Sequence, residues 1–234
     1  MNLKASARRE SSIRLFEPFG GGIGNMLRDL LKLYHRKWHW MRAGIVFVHV
    51  PKAAGTSLSV ALYGRFLGHY TAMQINAFDP GVLRQLPSFG VVRNPWDRCV
   101  SAFRFAKRTV PGDGVTPSIN SDVRRRLQPL ESFEAFVCDW LRHQDVTKAD
   151  YVFQEQAHFL CDDQSNTLVD FVGRIEALDM LEAWLQESLH KPVKIPKHNQ
   201  SGDAVSYHEW YSAETRAIVG KVYGRDISQF GYEF

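Results

Sequence analysis

The stretch "FVHVPKAAGTSLSVALYG", residues 47–64, runs an apolar segment into a short loop of proline, lysine, small residues and hydroxyls, and then into a helix. Gly44 to Val50 reads as a strand with no polar alternation, as expected in the middle of a parallel sheet covered on both faces. Ser57 to Phe66 reads as the helix that follows. A strand, a tight loop and a helix whose first turn carries Thr56 and Ser57 form a geometry that holds phosphate or sulfate. The unpaired backbone amides at the helix start point at the anion, and the helix dipole favours it. The loop is not a GxxxxGK[ST] phosphate loop, because Lys52 precedes Thr56 by four residues instead of standing directly before it. No strand ends convincingly in an acidic residue that would hold magnesium, so a donor used without metal is favoured over ATP or GTP.

Outward from this unit, Phe89 to Val92 reads as a second strand running into a helix from Trp96 to Arg108, and Val169 to Arg174 as a third, followed by a helix carrying Leu178, Leu181, Trp184, Leu185 and Leu189. Strands alternating with helices predict an α/β domain with a mostly parallel central sheet flanked by helices. Further helical segments are expected at Phe133 to Arg142 and Asp150 to Leu160, with a loop at Pro111 to Ser118 and a basic run at Arg124 to Arg126. Near the start, Leu27, Leu30, Leu31, Tyr34 and Trp38 recur at helical spacing, which predicts an amphipathic helix with Arg28, Lys32 and Arg36 facing water, and the modest charge favours packing on the domain over lying on a membrane surface. The expected organisation is a basic arm and helix over residues 1–43, with residues 1–24 a loose arm or lid, and one catalytic domain over 44–234.

The chain of 234 residues is long enough for a sizeable core, and 44% hydrophobic with 23% charged content is that of an ordinary globular protein. A net charge of +4 mildly favours an anionic partner and leaves nucleic acid, polysaccharide and phosphorylated nucleotide open. Cys99, Cys138 and Cys161 show no CxxC spacing, which argues against zinc and against a disulfide framework and for a reducing compartment. The apolar run Ile45 to Val50 falls far short of the ~20 residues of a membrane helix. No apolar stretch follows the basic N-terminus, so it does not read as a secretory signal. A cytoplasmic, bacterial-type protein fits, as does a Golgi-lumenal one separated from its anchor.

The second strand supplies a complement to the loop. In VVRNPWDRCVSAF, residues 91–103, Arg93 stands at a strand end and Ser101 two helical turns later, so a bidentate guanidinium and a hydroxyl could meet one further phosphate. Two separated anion sites suggest a nucleotide phosphorylated at two places.

PKAAGTS followed by VVRNPWDRCVSAF resembles the two signature motifs of the sulfotransferases that use 3'-phosphoadenosine-5'-phosphosulfate (PAPS), most closely the carbohydrate branch typified by heparan sulfate 2-O-sulfotransferase and its bacterial relatives. GRIE at 173–176, HNQS at 198–201 and the C-terminal DISQFGYEF extend the resemblance over roughly residues 45–234. It implies a nucleotide-kinase-like fold and transfer of a sulfuryl group to a hydroxyl of an acceptor, a saccharide in that branch, with no metal. It also implies that Lys52 approaches the bridging oxygen of the donor, that the backbone of Ala54, Gly55, Thr56 and Ser57 with the two hydroxyls holds the 5'-phosphate, and that Arg93 and Ser101 bind the 3'-phosphate. Asn199 and Ser201 stand in a loop that in relatives returns to the nucleotide, leaving adenosine 3',5'-bisphosphate as the product.

The attacking hydroxyl must lose a proton, and a histidine suits that at neutral pH. Of nine histidines, His69 lies just past the phosphate-loop helix, where the chain should return to the ligand end of the sheet, and Gly68-His69 matches the Gly-His of the heparan-type enzymes. His49 sits inside a buried strand and reads as a core residue. His158, His198, Glu155 and Glu176 are reserves. Trp96 reads as core or adenine-side packing and Asp97 as a helix N-terminal charge, while Arg104, Lys107, Arg108 and Arg124 to Arg126 are either a solvated face or the rim of an acidic acceptor groove. The rival readings are an NTP-dependent kinase and a non-catalytic binder of anionic polymers. A nucleic-acid partner is disfavoured by the lack of any recognised module.

Overall fold

The computed structural model describes residues 23–108, 119–195 and 205–234. The arm up to residue 22, the loop Pro111 to Ser118, and the stretch with His198, Asn199 and Ser201 lie outside the described residues. In chain order the main elements are α1 (Ile23–Ala43), β1 (Val46–Val48), α2 (Gly55–Tyr63), α3 (Ala72–Phe78), α4 (Pro80–Gln85), β2 (Ser88–Val92), α5 (Pro95–Arg108) and α6 (Ser121–Leu127). They continue with α7 (Phe133–Ala135), α8 (Gln156–Leu160), β3 (Phe171–Arg174), α9 (Leu178–Leu189), α10 (Ala213–Val222) and α11 (Gly224–Phe230). The described chain divides into two compact units, one of residues 23–50, 54–91 and 159–195, the other of 51–53, 92–108, 119–158 and 205–234.

The first unit carries the sheet, in the order β1-β2-β3, so the α/β architecture expected from the sequence is present. β1 and β2 pair in parallel, with Val46 opposite Ser88, Phe47 opposite Phe89 and Val48 opposite Gly90, and every residue of both strands is buried. That is why these strands read as unbroken apolar runs. Ile45, Phe47, Leu58, Phe89, Val91, Leu181, Leu185 and Ile195 form the core of this unit. β1 is shorter than Gly44 to Val50 because the amides of Gly44 and Ile45 bond back to the Trp40 carbonyl at the end of α1. The helix after the loop starts two residues earlier than expected and stops at Tyr63, where Gly64 takes the left-handed conformation with φ 71°. The Tyr63 hydroxyl ties it to β1, donating to the Ile45 carbonyl at 3.1 Å and accepting from the Phe47 amide at 2.8 Å.

The face that α1 turns inward differs from the expected one. Leu33 and Trp40 are buried, whereas Leu31, Tyr34 and Trp38 are exposed. Arg36 and Lys37 share the inward side because each finds a partner: Arg36 donates to the Leu67 carbonyl, and Lys37 Nζ to Asp79 Oδ2 at 2.5 Å. Long basic side chains can bury their stems once their heads are satisfied.

The second unit is helical. Trp96, Cys99, Phe103, Phe133, Phe136, Trp140, Phe153, Val219 and Tyr223 are among its buried core. After α7 the chain widens into a π-turn at Phe136–Trp140 and tightens at Leu141–His143, covering the helix expected there. The helix expected from Asp150 is confined to Gln156–Leu160. The Asp150 carboxylate instead takes the amides of Val152 at 3.2 Å and Asn120 at 2.8 Å and so makes a turn.

Candidate active site

The loop between β1 and α2 is conformationally unusual. Lys52 (φ 66°) and Ala54 (φ 58°) both adopt the left-handed region without being glycine, at a cost of about 1–3 kcal/mol each. Ala54 caps α2 with no side-chain acceptor, so no side chain of the cap spends the amides of the first turn. On that turn Thr56 is exposed, Ser57 is half-buried and Gly55 is buried. A Cβ on Gly55 would stand 1.9 Å from His49 Cδ2 and 2.2 Å from Nε2. The His49 ring cannot easily retreat, because Phe47 stacks on it at 5.5 Å and Phe66 meets it edge-on at 5.3 Å. Gly55→Ala is therefore expected to lower stability by about 1–3 kcal/mol through overpacking, read in a denaturant melt.

His69 belongs to the first unit and reaches the carboxyl end of β1. Its Nδ1 lies 3.1 Å from the His49 carbonyl and its ring centroid 4.2 Å from that of His49. A carbonyl only accepts, so Nδ1 carries the proton and the lone pair of the neutral ring is on Nε2, the arrangement a general base needs.

Lys52, in the second unit, is half-buried with its Nζ 4.1 Å from the Phe105 ring centroid. Burial first, then the charges of Arg93, Arg98 and Arg108, pull its ammonium from 10.5 down to about 8. Arg93, at the end of β2, donates from Nη1 to the Lys52 carbonyl at 3.5 Å, while its Nε and Nη2 grip both oxygens of Asp97 at 2.7 Å. The structure thus brings Lys52 and Arg93 together in one cationic cluster. The unfolded chain keeps the Lys52 proton to about 10.5 and the native protein only to about 8, so between these values the unfolded state binds more protons and stability rises with pH. Lys52→Met is expected to be the more stable protein below pH 8 by no more than about 3 kcal/mol, with the gap closing toward pH 10.5; paired denaturation curves across that range check it.

The family model described as "Sulfotransferase family" matches residues 41–233. The chain belongs to the sulfotransferase family. Comparison with curated proteins found no match, and neither did comparison with solved structures. The match spans the loop, Arg93, Ser101 and His69, so the expectation drawn from PKAAGTS and VVRNPWDRCVSAF holds at the level of the family and of sulfuryl transfer.

In this sulfotransferase three further residues hold the cationic cluster in place, none of them singled out from the sequence. Arg98, 2% exposed, donates from Nε to the Pro51 carbonyl at 2.9 Å and from Nη2 to the Val152 carbonyl at 3.2 Å, and so anchors the entry to the loop. Gln156 clamps the backbone of Arg93, accepting its amide at 2.9 Å and donating to its carbonyl at 2.8 Å. Asp226, fully buried, accepts the amides of Gln156 and Ala157 at 2.8 Å each. Burial lifts the Asp226 carboxyl while Arg98 and those amides oppose the shift.

The sulfotransferase's remaining candidates have plainer placements. Ser101 is half-buried on α5, eight residues beyond Arg93. Trp96 is core, donating from Nε1 to the Arg216 carbonyl at 3.1 Å. Asp97 is in the first turn of α5, as expected, and is also the partner of Arg93. Lys107 donates to the carbonyls of Leu127 and Gln128 at the end of α6, and Arg125 pairs with Asp122 at 2.5 Å, so part of the basic segment serves its own helices. Burial, with the charge of Asp226, raises the Glu155 carboxyl, and Glu176 is exposed. Among the described residues no group of three His, Cys, Asp or Glu side chains could hold a metal ion.

Proposed function

We propose that this protein transfers the sulfuryl group of PAPS to a hydroxyl of a saccharide, with Lys52 stabilising the leaving phosphate and His69 as general base. The observation that carries the reading is the half-buried Lys52 ammonium, packed on the Phe105 ring with Arg93 bonded to the Lys52 carbonyl and Arg98 to that of Pro51, an arrangement whose burial and neighbouring guanidinium charges pull the ammonium below its ordinary value. A desolvated lysine among guanidinium groups is costly when alone and favourable once a polyanion joins it. These residues suit a bisphosphorylated nucleotide, and that donor supplies an activated sulfuryl group.

The backbone of Ala54, Gly55, Thr56 and Ser57 with the hydroxyls of Thr56 and Ser57 holds the 5'-phosphate, and Arg93 and Ser101 hold the 3'-phosphate. Asn199 and Ser201, outside the described residues, contact the nucleotide. As the acceptor oxygen bonds to sulfur and the sulfur–phosphate oxygen bond breaks, the acceptor's proton passes to His69 Nε2, and Lys52 meets the electron pair left on the phosphate oxygen. Lys52 accelerates the step because the charge develops beside it.

The test incubates the protein with PAPS, without metal, against heparan-type and chondroitin-type polysaccharides, simple sugars and a tyrosine peptide. Release of adenosine 3',5'-bisphosphate above the acceptor-free rate with a saccharide is expected. Release only with the peptide would overturn the saccharide assignment, and consumption of ATP with magnesium but not of PAPS would overturn the donor.

A further inference from the structure

We propose that α1 docks through its outward face on an anionic lipid surface, lying in the plane of the interface. Leu31, Tyr34, Trp38 and Met41 follow one another at spacings of three and four residues and are 63%, 71%, 55% and 46% exposed. They form a single apolar stripe, and it is the stripe that would ordinarily seat a helix on its core. That seat is taken on the opposite side by Leu33 and Trp40, with Arg36 and Lys37 satisfied by the Leu67 carbonyl and Asp79.

The occupant is indicated by chemistry and by shape. The stripe is flanked by exposed Lys32, His35 and Arg42, with the Arg42 guanidinium 5.2 Å from the Trp38 ring centroid. In sequence, α1 carries Arg28, Lys32, Arg36, Lys37 and Arg42 against a single carboxylate, Asp29. Apolar side chains with Trp and Tyr among them, edged by cations, are what an interfacial helix presents to anionic headgroups. The described residues contain no helix long and apolar enough to cross a membrane, so the contact is of a helix lying on the surface.

A second copy of the chain is a poorer occupant, because two such faces bring like charges together. Residues 1–22 are poorer too: Lys4, Arg8, Arg9 and Arg14 outnumber Glu10 and Glu17, so that segment has the same sign as the helix. A lipid surface also needs no complementary groove to accept a convex stripe.

The full chain is floated with vesicles of phosphatidylcholine alone and of phosphatidylcholine with about a third phosphatidylserine. Capture by the anionic vesicles only, weakened at about 0.5 M salt, is expected. Leu31→Ser with Trp38→Ser, and separately Lys32→Glu with Arg42→Glu, are each expected to lower capture about tenfold or more. The melting temperature, and transfer to a soluble acceptor, should stay at the wild-type values. No capture, equal capture by both vesicles, or capture that the variants leave intact overturns the proposal. So does a dimer in sedimentation equilibrium that the Leu31/Trp38 variant dissolves, which would make a second copy the occupant. A melting temperature lowered in that variant overturns it in favour of a segment of the chain itself.

Discussion

Replacing Lys52 by alanine is expected to lower sulfuryl transfer by about 100-fold or more. A lysine held at about 8 by burial and three neighbouring arginines is strained electrostatically in the free protein, and in the proposed mechanism the negative charge that develops on the departing phosphate would relieve that strain most in the transition state. Removing a costly buried cation should leave Lys52→Ala at least as stable as the wild type below pH 8, so a fall in turnover with an undiminished melting temperature marks a chemical role. Near-normal turnover would remove Lys52 from the mechanism.

His69→Ala is expected to lower turnover by roughly 100- to 10,000-fold while binding of adenosine 3',5'-bisphosphate stays at its wild-type strength. The hydrogen bond from Nδ1 to the His49 carbonyl fixes the ring and its tautomer, so the lone pair is directed by the backbone at the end of β1. Alanine removes the acceptor of the proton without touching the groups assigned to the phosphates. A loss confined to affinity for the nucleotide would assign His69 to binding and leave the base unfilled.

The strand, loop and helix around Lys52 were legible in the sequence because each is encoded locally: a β-branched run, small residues in a tight loop, and hydroxyls in a first turn. α3 and α4 are also encoded locally, since Thr71 with Gln74 forms a capping box and Asp79 caps a helix that starts with Pro80. The face of α1 was not legible. Spacing ranks residues by hydropathy, and what turned Arg36 and Lys37 inward was a carbonyl and a carboxylate 31 and 42 residues away. Arg98, Gln156 and Asp226 escaped for the same reason, as their partners lie 47 to 70 residues distant in sequence. The motif positions could be named from the chain alone, but the scaffold holding them exists only once the chain has folded.

The most direct test of the donor assignment is thermal denaturation of the purified protein with adenosine 3',5'-bisphosphate without metal, with ATP plus magnesium, and with neither. At a nucleotide concentration about 100 times its dissociation constant, stabilisation of about 2.7 kcal/mol, or roughly 5–10 °C, is predicted for the bisphosphate alone. A shift produced by ATP with magnesium and not by the bisphosphate would contradict the account and make the loop at residues 51–57 a nucleoside triphosphate site.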